Sequence, residues 1–211
     1  MFELRRHRLV RLAPAGWDAA LADAAPTDRI VLAAWQGGDL PLVVARQDGV
    51  APGHVRLGLP APATHARRRV TLAVAPARLR DAGEFPPAER ISSMLEPAQS
   101  SAWRALAATL PAARVFGSYG WQYLTGLPYV HPRSDIDLLL PVDDPAAADA
   151  IAARLDAAAT GLPRLDGELV FADGRAVAWR EWLQWRAGRV GELLVRRIGG
   201  VRLEAAWAVS A

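Results

Sequence analysis

The side chains in this sequence best suited to catalysis are two carboxylates separated by a single residue, Asp135 and Asp137. They flank Ile136 and open an apolar run that reads as a strand, in which alternate side chains share a face. Two carboxylates on one face raise each other's pKa unless a cation lies between them. Their hard oxygens suit Mg²⁺ (or Mn²⁺). We therefore predict that Asp135 and Asp137 are catalytic residues that hold a divalent metal ion.

A second candidate group, about twenty residues earlier, consists of Gly117 and Ser118. Glycine at a strand end lets the backbone approach a ligand closely. Serine at a helix start adds a hydroxyl to the free N–H groups that bind anions there. We predict that both residues bind the phosphates of a substrate. Trp121 follows one turn later and is a candidate for stacking on a base, although packing in the core is the simpler alternative.

The elements that must position these groups form a short series. Val115 and Phe116 read as a strand, about two helical turns follow Gly117, a loop carries two prolines, and a second strand covers Asp135 to Leu140. An isolated Asp-x-Asp pair is often a solvated turn, and Gly-Ser is often a plain helix cap. The order of the whole series favours one site in which a phosphate cradle faces a metal-binding pair.

This order resembles the nucleotidyltransferase superfamily typified by DNA polymerase beta. A narrower resemblance comes from three stretches: G-S-Y-G-W-Q-Y-L-T-G-L-P-Y, S-D-I-D-L-L and D-G-E-L-V-F-A-D-G-R-A-V-A-W-R-E. They are similar to the phosphoribosyl-dephospho-CoA transferase of malonate decarboxylase, also called malonate decarboxylase holo-acyl-carrier-protein synthase. The resemblance is specific over residues 116 to 181 and loose before residue 90.

The resemblance implies an enzyme and its partners. It implies a metal-dependent transferase that takes the prosthetic group of 2'-(5''-triphosphoribosyl)-3'-dephospho-CoA. The acceptor is a serine of the apo acyl-carrier subunit of malonate decarboxylase, and pyrophosphate is released. Members of the superfamily add a third carboxylate, for which Glu181 is the first choice, Glu168 the reserve and Asp166 a further candidate. The alternative for Glu181 is an acid that favours the start of a helix.

The composition of the 211-residue chain sets broad limits. The apolar share of 52% supports a buried core, and the absence of cysteine excludes disulfides and thiolate sites. The chain shows no signal peptide or membrane span, so we expect a cytoplasmic protein without membrane contact. All 25 basic residues are arginine, which excludes a Walker-type loop because that loop needs a lysine.

Two other functions remain open from the residues alone. The first is a nucleotidyltransferase that acts on a small molecule, an RNA end or another protein, because the motif spacing does not define the acceptor. The second is a non-catalytic basic protein that binds nucleic acid, consistent with a pI of about 10.1. A net charge of only +3 and the absence of a nucleic-acid motif make this second function the weaker one.

We predict a fold of mixed α/β (α+β) class with two domains. Residues 1–85 form a small, mostly β N-terminal module with strands that include Ile30 to Trp35, and residues 76 to 97, rich in proline, form the linker. Residues 90–211 form a polymerase-beta-like domain with a mixed sheet. There we expect a helix capped by Asp144, a hairpin through Asp173-Gly174, a short helix from Glu181 and a last hairpin at Gly199-Gly200.

Overall fold

Short apolar runs separated by Gly and Pro form an antiparallel sheet in the first part of the computed structural model, which describes residues 3–158 and 160–207. The five strands lie in the order β4-β3-β2-β1-β5. The longest pairing joins β3 and β4, in which every second residue of β3 is buried. The strands are β1 (Leu9–Leu12), β2 (Leu42–Val44), β3 (Val55–Pro60), β4 (Arg69–Val74) and β5 (Leu79–Gly83).

Two helices, α1 (Pro14–Asp23) and α2 (Pro26–Gly37), lie between β1 and β2. Each begins with proline, whose fixed φ suits the first helical turn. The strand predicted over Ile30 to Trp35 is wrong, because this stretch is the middle of α2. Its buried residues Val31, Leu32 and Trp35 lie on one helical face, whereas Ile30 is 70% exposed.

The proline-rich stretch from residue 76 to 97 is not only a linker. It contains strand β5, which pairs with β1 in the first sheet. The prolines lie outside this strand, so they bound it without removing a hydrogen bond from it. A 3-10 helix, Ala88–Met94, follows, and Trp103 donates its indole N–H to the carbonyl of Ala88.

The second sheet has six strands in the order β11-β10-β9-β8-β7-β6 and is mixed, as predicted. Among the strand pairs of the described residues, β7 and β8 run parallel. The pairs β6 with β7 and β8 with β9 are antiparallel. The strands are β6 (Arg114–Phe116), β7 (Ile136–Val142), β8 (Leu165–Phe171), β9 (Ala176–Ala178), β10 (Leu193–Arg197) and β11 (Gly200–Glu204). The helices are α3 (Pro97–Ala108), α4 (Gly117–Thr125), α5 (Pro145–Ala157) and α6 (Trp179–Arg186).

Helix α5 connects the two parallel strands, which cannot be joined by a tight turn. Its start confirms the sequence prediction: the side chain of Asp144 accepts a hydrogen bond from the N–H of Ala147 at 2.7 Å, and Pro145 is the first helical residue. The tryptophans of α6, Trp179 and Trp182, are both 0% exposed in the core of this unit. One face of the sheet is thereby covered by helices.

The described chain divides into two compact units by its internal contacts. The first unit runs to Phe85 and includes Leu124–Tyr129 and Ile198–Gly200. The second contains Pro86–Tyr123, Val130–Arg197 and the described residues from Val201 onward.

None of the described helices combines the length and the apolar character that a membrane crossing requires.

Candidate active site

Strand β7 directs the Asp137 side chain away from the helix-covered face of its sheet. Its two neighbours, Ile136 and Leu138, are both 0% exposed in the core. Because strand side chains alternate, Asp137 lies on the opposite face. Asp135 comes one residue before the strand, and its side chain is 33% exposed. The two carboxylates therefore flank a buried isoleucine, as the alternation predicts.

The neighbouring strand β8 adds two acidic side chains to the same face. In the parallel register Asp137 is paired with Asp166, and Leu139 is paired with Glu168. The residues that alternate with these acids in β8 are buried. The sheet thus brings Asp166 and Glu168 beside the Asp-x-Asp pair, although the four acids come from stretches about thirty residues apart in the sequence.

As a result of this environment, the carboxyl group of Asp137 is an unusually weak acid. Burial, followed by the negative charges of Asp166 and Asp135, raises its pKa to about 6; Arg164 opposes the shift and Glu168 adds to it. The ionised form is disfavoured because it is partly removed from water among like charges. The site therefore carries more negative charge than its own cations balance, and a bound cation would stabilise it.

Gly117 lies directly against the Asp137 carboxylate. Its φ is +57°, in the left-handed region that favours glycine, and a Cβ atom there would lie 1.7 Å from Oδ2 of Asp137. The register explains this proximity, since Phe116 at the end of β6 is paired with Asp137. The bend between β6 and α4 and the Asp-x-Asp strand therefore meet, and no residue with a side chain fits at position 117 without displacing Asp137.

Ser118 is the second residue of α4 and is half-buried. The first turn of a helix has N–H groups without intrahelical partners, and these bind anions such as phosphate. The position of Gly117 places the start of α4 beside the carboxylates. The arrangement can therefore hold an anion and a cation next to each other, which is the requirement for binding a polyphosphate with its metal.

The loop before Asp135 is fixed by hydrogen bonds between side chains and backbone. Oγ of Ser134 accepts the N–H of His131 at 3.0 Å, and the N–H of Ser134 donates to the carbonyl of His131 at 2.8 Å. Gln122 on α4 accepts the N–H of Val130 through Oε1 at 2.8 Å. These bonds tie the loop to α4. The sequence analysis did not identify Ser134 or Gln122. Ser134 could have been noticed, because serine side chains in turns often form hydrogen bonds with nearby backbone groups.

Glu181, the first choice for the third carboxylate, has a different environment. It lies on α6, and its Oε1 accepts the N–H of Leu194 at 2.6 Å. Helix α6 packs on the core face of the sheet through Trp179 and Trp182, and Glu181 is not among the charged groups that act on Asp137. Its catalytic role stays a prediction, while the geometry favours Asp166.

Trp121, proposed from the sequence as a base-stacking residue, is only 4% exposed. An indole buried to this extent has no free face for a ligand. The core alternative is therefore the better description, and we leave Trp121 out of the proposed site. Its hydrophobicity fits this position, because apolar side chains at helical spacing usually form the buried face of a helix.

No group of three or more His, Asp or Glu side chains in residues 3–158 and 160–207 is arranged to hold a metal ion by itself. This is compatible with Mg²⁺, which commonly binds through one or two carboxylates and completes its coordination with water and substrate phosphates. The donor set of Asp135 and Asp137 consists of hard oxygens, and Asp166 and Glu168 add further negative charge on the same face of the sheet. The residues present thus fit such an ion.

Comparison with known families and proteins agrees with the resemblance drawn from the motifs. Residues 5–85 match the family described as phosphoribosyl-dephospho-CoA transferase MdcG N-terminal domain, and residues 87–206 match the corresponding C-terminal domain. No solved structure matches the chain.

Several curated relatives are similar over nearly the whole chain. A phosphoribosyl-dephospho-CoA transferase of Xanthomonas campestris is 39% identical over 207 residues, which cover 94% of this chain and 92% of the relative. One from Bradyrhizobium diazoefficiens is 38% identical over 212 residues, with 94% and 88% covered. Both domains of the family model and these relatives lead to one conclusion: the chain belongs to the MdcG family of phosphoribosyl-dephospho-CoA transferases.

Proposed function

We propose that this transferase moves the phosphoribosyl-dephospho-CoA group of 2'-(5''-triphosphoribosyl)-3'-dephospho-CoA to a serine of the apo acyl-carrier subunit of malonate decarboxylase. The observation that carries the proposal is the contact between Gly117 and Asp137, because it joins the anion-binding helix start to the carboxylates. The family supports a transferase with this group as its substrate. The acceptor and the metal are part of the proposal.

The reaction is a substitution at phosphorus. The serine oxygen of the carrier attacks the innermost phosphorus of the donor triphosphate, and a new P–O bond forms. The bond from this phosphorus to the bridging oxygen of the outer two phosphates breaks, so that pyrophosphate leaves with the bonding electron pair. The product is a phosphodiester between the carrier and the ribose.

The residues of the site divide this work between them. Gly117 and Ser118 bind the outer phosphates at the start of α4, and Asp135 and Asp137 would hold Mg²⁺ (or Mn²⁺). When bound, the ion supplies the positive charge that phosphoryl transfer requires. A carboxylate beside the attacking oxygen can accept the proton of the serine. We assign this role to Asp166, which is paired with Asp137 across the parallel strands.

The proposed function is tested by weighing the carrier subunit. Apo carrier is incubated with the triphosphate donor, Mg²⁺ and the transferase, and mass spectrometry follows the protein. We expect a gain equal to the phosphoribosyl-dephospho-CoA group, and no gain on a carrier whose acceptor serine is replaced by alanine. An unmodified carrier, in a preparation that an established member of the family does modify, would rule out this acceptor.

The third carboxylate can be identified by comparing two conservative variants. Asp166→Asn should reduce kcat about 100-fold, the lower end of the range for a general base, since it removes the proposed proton acceptor and a negative charge beside the metal site. Glu181→Gln should change kcat less than about threefold, because the amide oxygen can still accept the N–H of Leu194. Steady-state rates measured on the carrier provide the test, and the reverse order of the two effects would restore Glu181 as the third carboxylate.

A further inference from the structure

Arg164 lies between two of the acids of the site. Its Nη1 is 3.4 Å from Oδ2 of Asp135, and its Nη2 is 3.6 Å from Oδ2 of Asp166. The backbone at this point is fixed, because the carbonyl of Arg164 accepts the N–H of Ile136 at 2.9 Å. One guanidinium group therefore spans the carboxylates that come from the ends of two neighbouring strands.

These contacts are loose. Tight charge-assisted bonds between guanidinium and carboxylate are about 2.7 to 2.9 Å long, whereas both contacts of Arg164 are longer. Its side chain is 60% exposed, and exposed ion pairs contribute little to stability. The side chain can therefore leave the carboxylates at small cost while its backbone stays in place.

A second arginine on the same face behaves differently. Arg196 approaches Oε1 of Glu168 with its Nε at 3.7 Å, but its side chain is only 25% exposed and that of Glu168 is 12% exposed. Moving Arg196 would uncover a more buried acid. Of these two arginines, Arg164 is the one that can change partners with less disturbance.

We propose that Arg164 is an exchangeable counter-ion: it partly offsets the negative charge of Asp135 and Asp166 in the free protein, gives way to the divalent ion, and then binds the donor triphosphate. This inference rests on the proposed function. A guanidinium group binds phosphate through two parallel hydrogen bonds, so the triphosphate offers it a better partner than the loosely held carboxylates. Arg164 is then a substrate-binding residue of the same site.

The test uses the full-length protein and measures binding without turnover. For the free protein, the affinity for Mn²⁺ is measured by electron paramagnetic resonance; with Mg²⁺ present, the affinity for inorganic tripolyphosphate is measured by calorimetry. Arg164→Gln should bind Mn²⁺ about three- to fivefold more tightly, because a competing cation is gone. It should bind tripolyphosphate about tenfold more weakly, because a bidentate phosphate contact is lost.

Two further variants make the result specific. Arg164→Lys keeps the charge and loses the planar fork, so its Mn²⁺ affinity should stay near that of the wild type while its tripolyphosphate affinity falls. Arg154→Gln makes the same charge change on α5, where Arg154 donates to the carbonyl of Thr109 at 3.4 Å. It should leave both affinities unchanged.

The outcomes separate this inference from the proposed function. Wild-type protein that binds no Mn²⁺ overturns the metal site itself, and with it the proposed mechanism. Mn²⁺ binding in the wild type that Arg164→Gln leaves unchanged or weakens overturns the counter-ion alone. An unchanged affinity of Arg164→Gln for tripolyphosphate overturns the role of Arg164 in donor binding.

Discussion

Asp137→Asn is expected to lower kcat for carrier modification by more than about 100-fold, and at the same time to make the metal-free protein more stable at pH 7. The loss of activity follows because the loss of a supporting group around a metal ligand already costs about 10- to 100-fold, and here the ligand itself is replaced. The gain in stability follows from the removal of a charge that burial and three neighbouring acids disfavour.

The sign of the pH dependence follows from the same shift. The pKa of Asp137 is raised from its ordinary value of 3.8 to about 6, so the folded protein holds this proton more tightly than the unfolded chain does. The free energy of unfolding should therefore fall as the pH rises from about 4 to 6 and stay lower above that range. The difference is on the order of 3 kcal/mol, or roughly 6–12 °C in Tm.

Thermal unfolding in the presence of a chelator, measured for both proteins between pH 4 and 8, checks this prediction. The wild-type curve should decline relative to that of Asp137→Asn, and the comparison cancels the other titrating groups. Mg²⁺ should raise the Tm of the wild type more than that of the variant. Parallel curves would show that Asp137 carries no unbalanced charge, and normal activity of the variant would remove it from the mechanism.

Gly117→Ala should combine a large loss of activity with a loss of stability. Alanine pays about 1 kcal/mol for the left-handed conformation at φ +57°. Its methyl group would also lie 1.7 Å from Oδ2 and 2.6 Å from Cγ of Asp137, so the carboxylate or the start of α4 must move. A displacement of about 1 Å in a catalytic group can lower the rate about 100-fold.

The matched control for this variant is Gly174→Ala. Gly174 also has a positive φ, +80°, but no heavy atom lies within 4 Å of the position a Cβ would take. It should lose stability through backbone strain alone and keep its activity. In an Asp137→Ala background, Gly117→Ala should cost less stability than in the wild type, since most of the clash is with the carboxylate. Equal rates for Gly117→Ala and the wild type would separate the bend from catalysis.

The parts of the fold that local rules determine could be predicted from the sequence. Asp144 and Pro145 indicated the start of α5, and the alternation of Asp137 with buried neighbours indicated its strand. The stretch from Ile30 to Trp35 was assigned wrongly because an apolar run of that length fits a strand and a helix equally well. Pro26, the first residue of α2, is the more informative signal, because proline is favoured at the start of a helix.

The pairing of β7 with β8 could not be predicted in the same way. A parallel neighbour is chosen by contacts across the whole domain, and Asp166 meets Asp137 only through that choice. Local sequence patterns therefore contain no signal that favours Asp166 over Glu181 as the third carboxylate. Arg164 was missed for the same reason, since its two carboxylate neighbours precede and follow the crossover helix.

The glycine at position 167 limits how this enzyme can diversify. Its φ is +143°, and a Cβ there would lie 2.2 Å from the carbonyl oxygen of Leu138, so the two strands are in contact through their backbones. Asp166 and Glu168 stand on either side of this contact. Any mutation that widens the gap would shift both acids together. Evolutionary or laboratory changes of substrate are therefore expected to preserve Gly167 and to alter the loops instead.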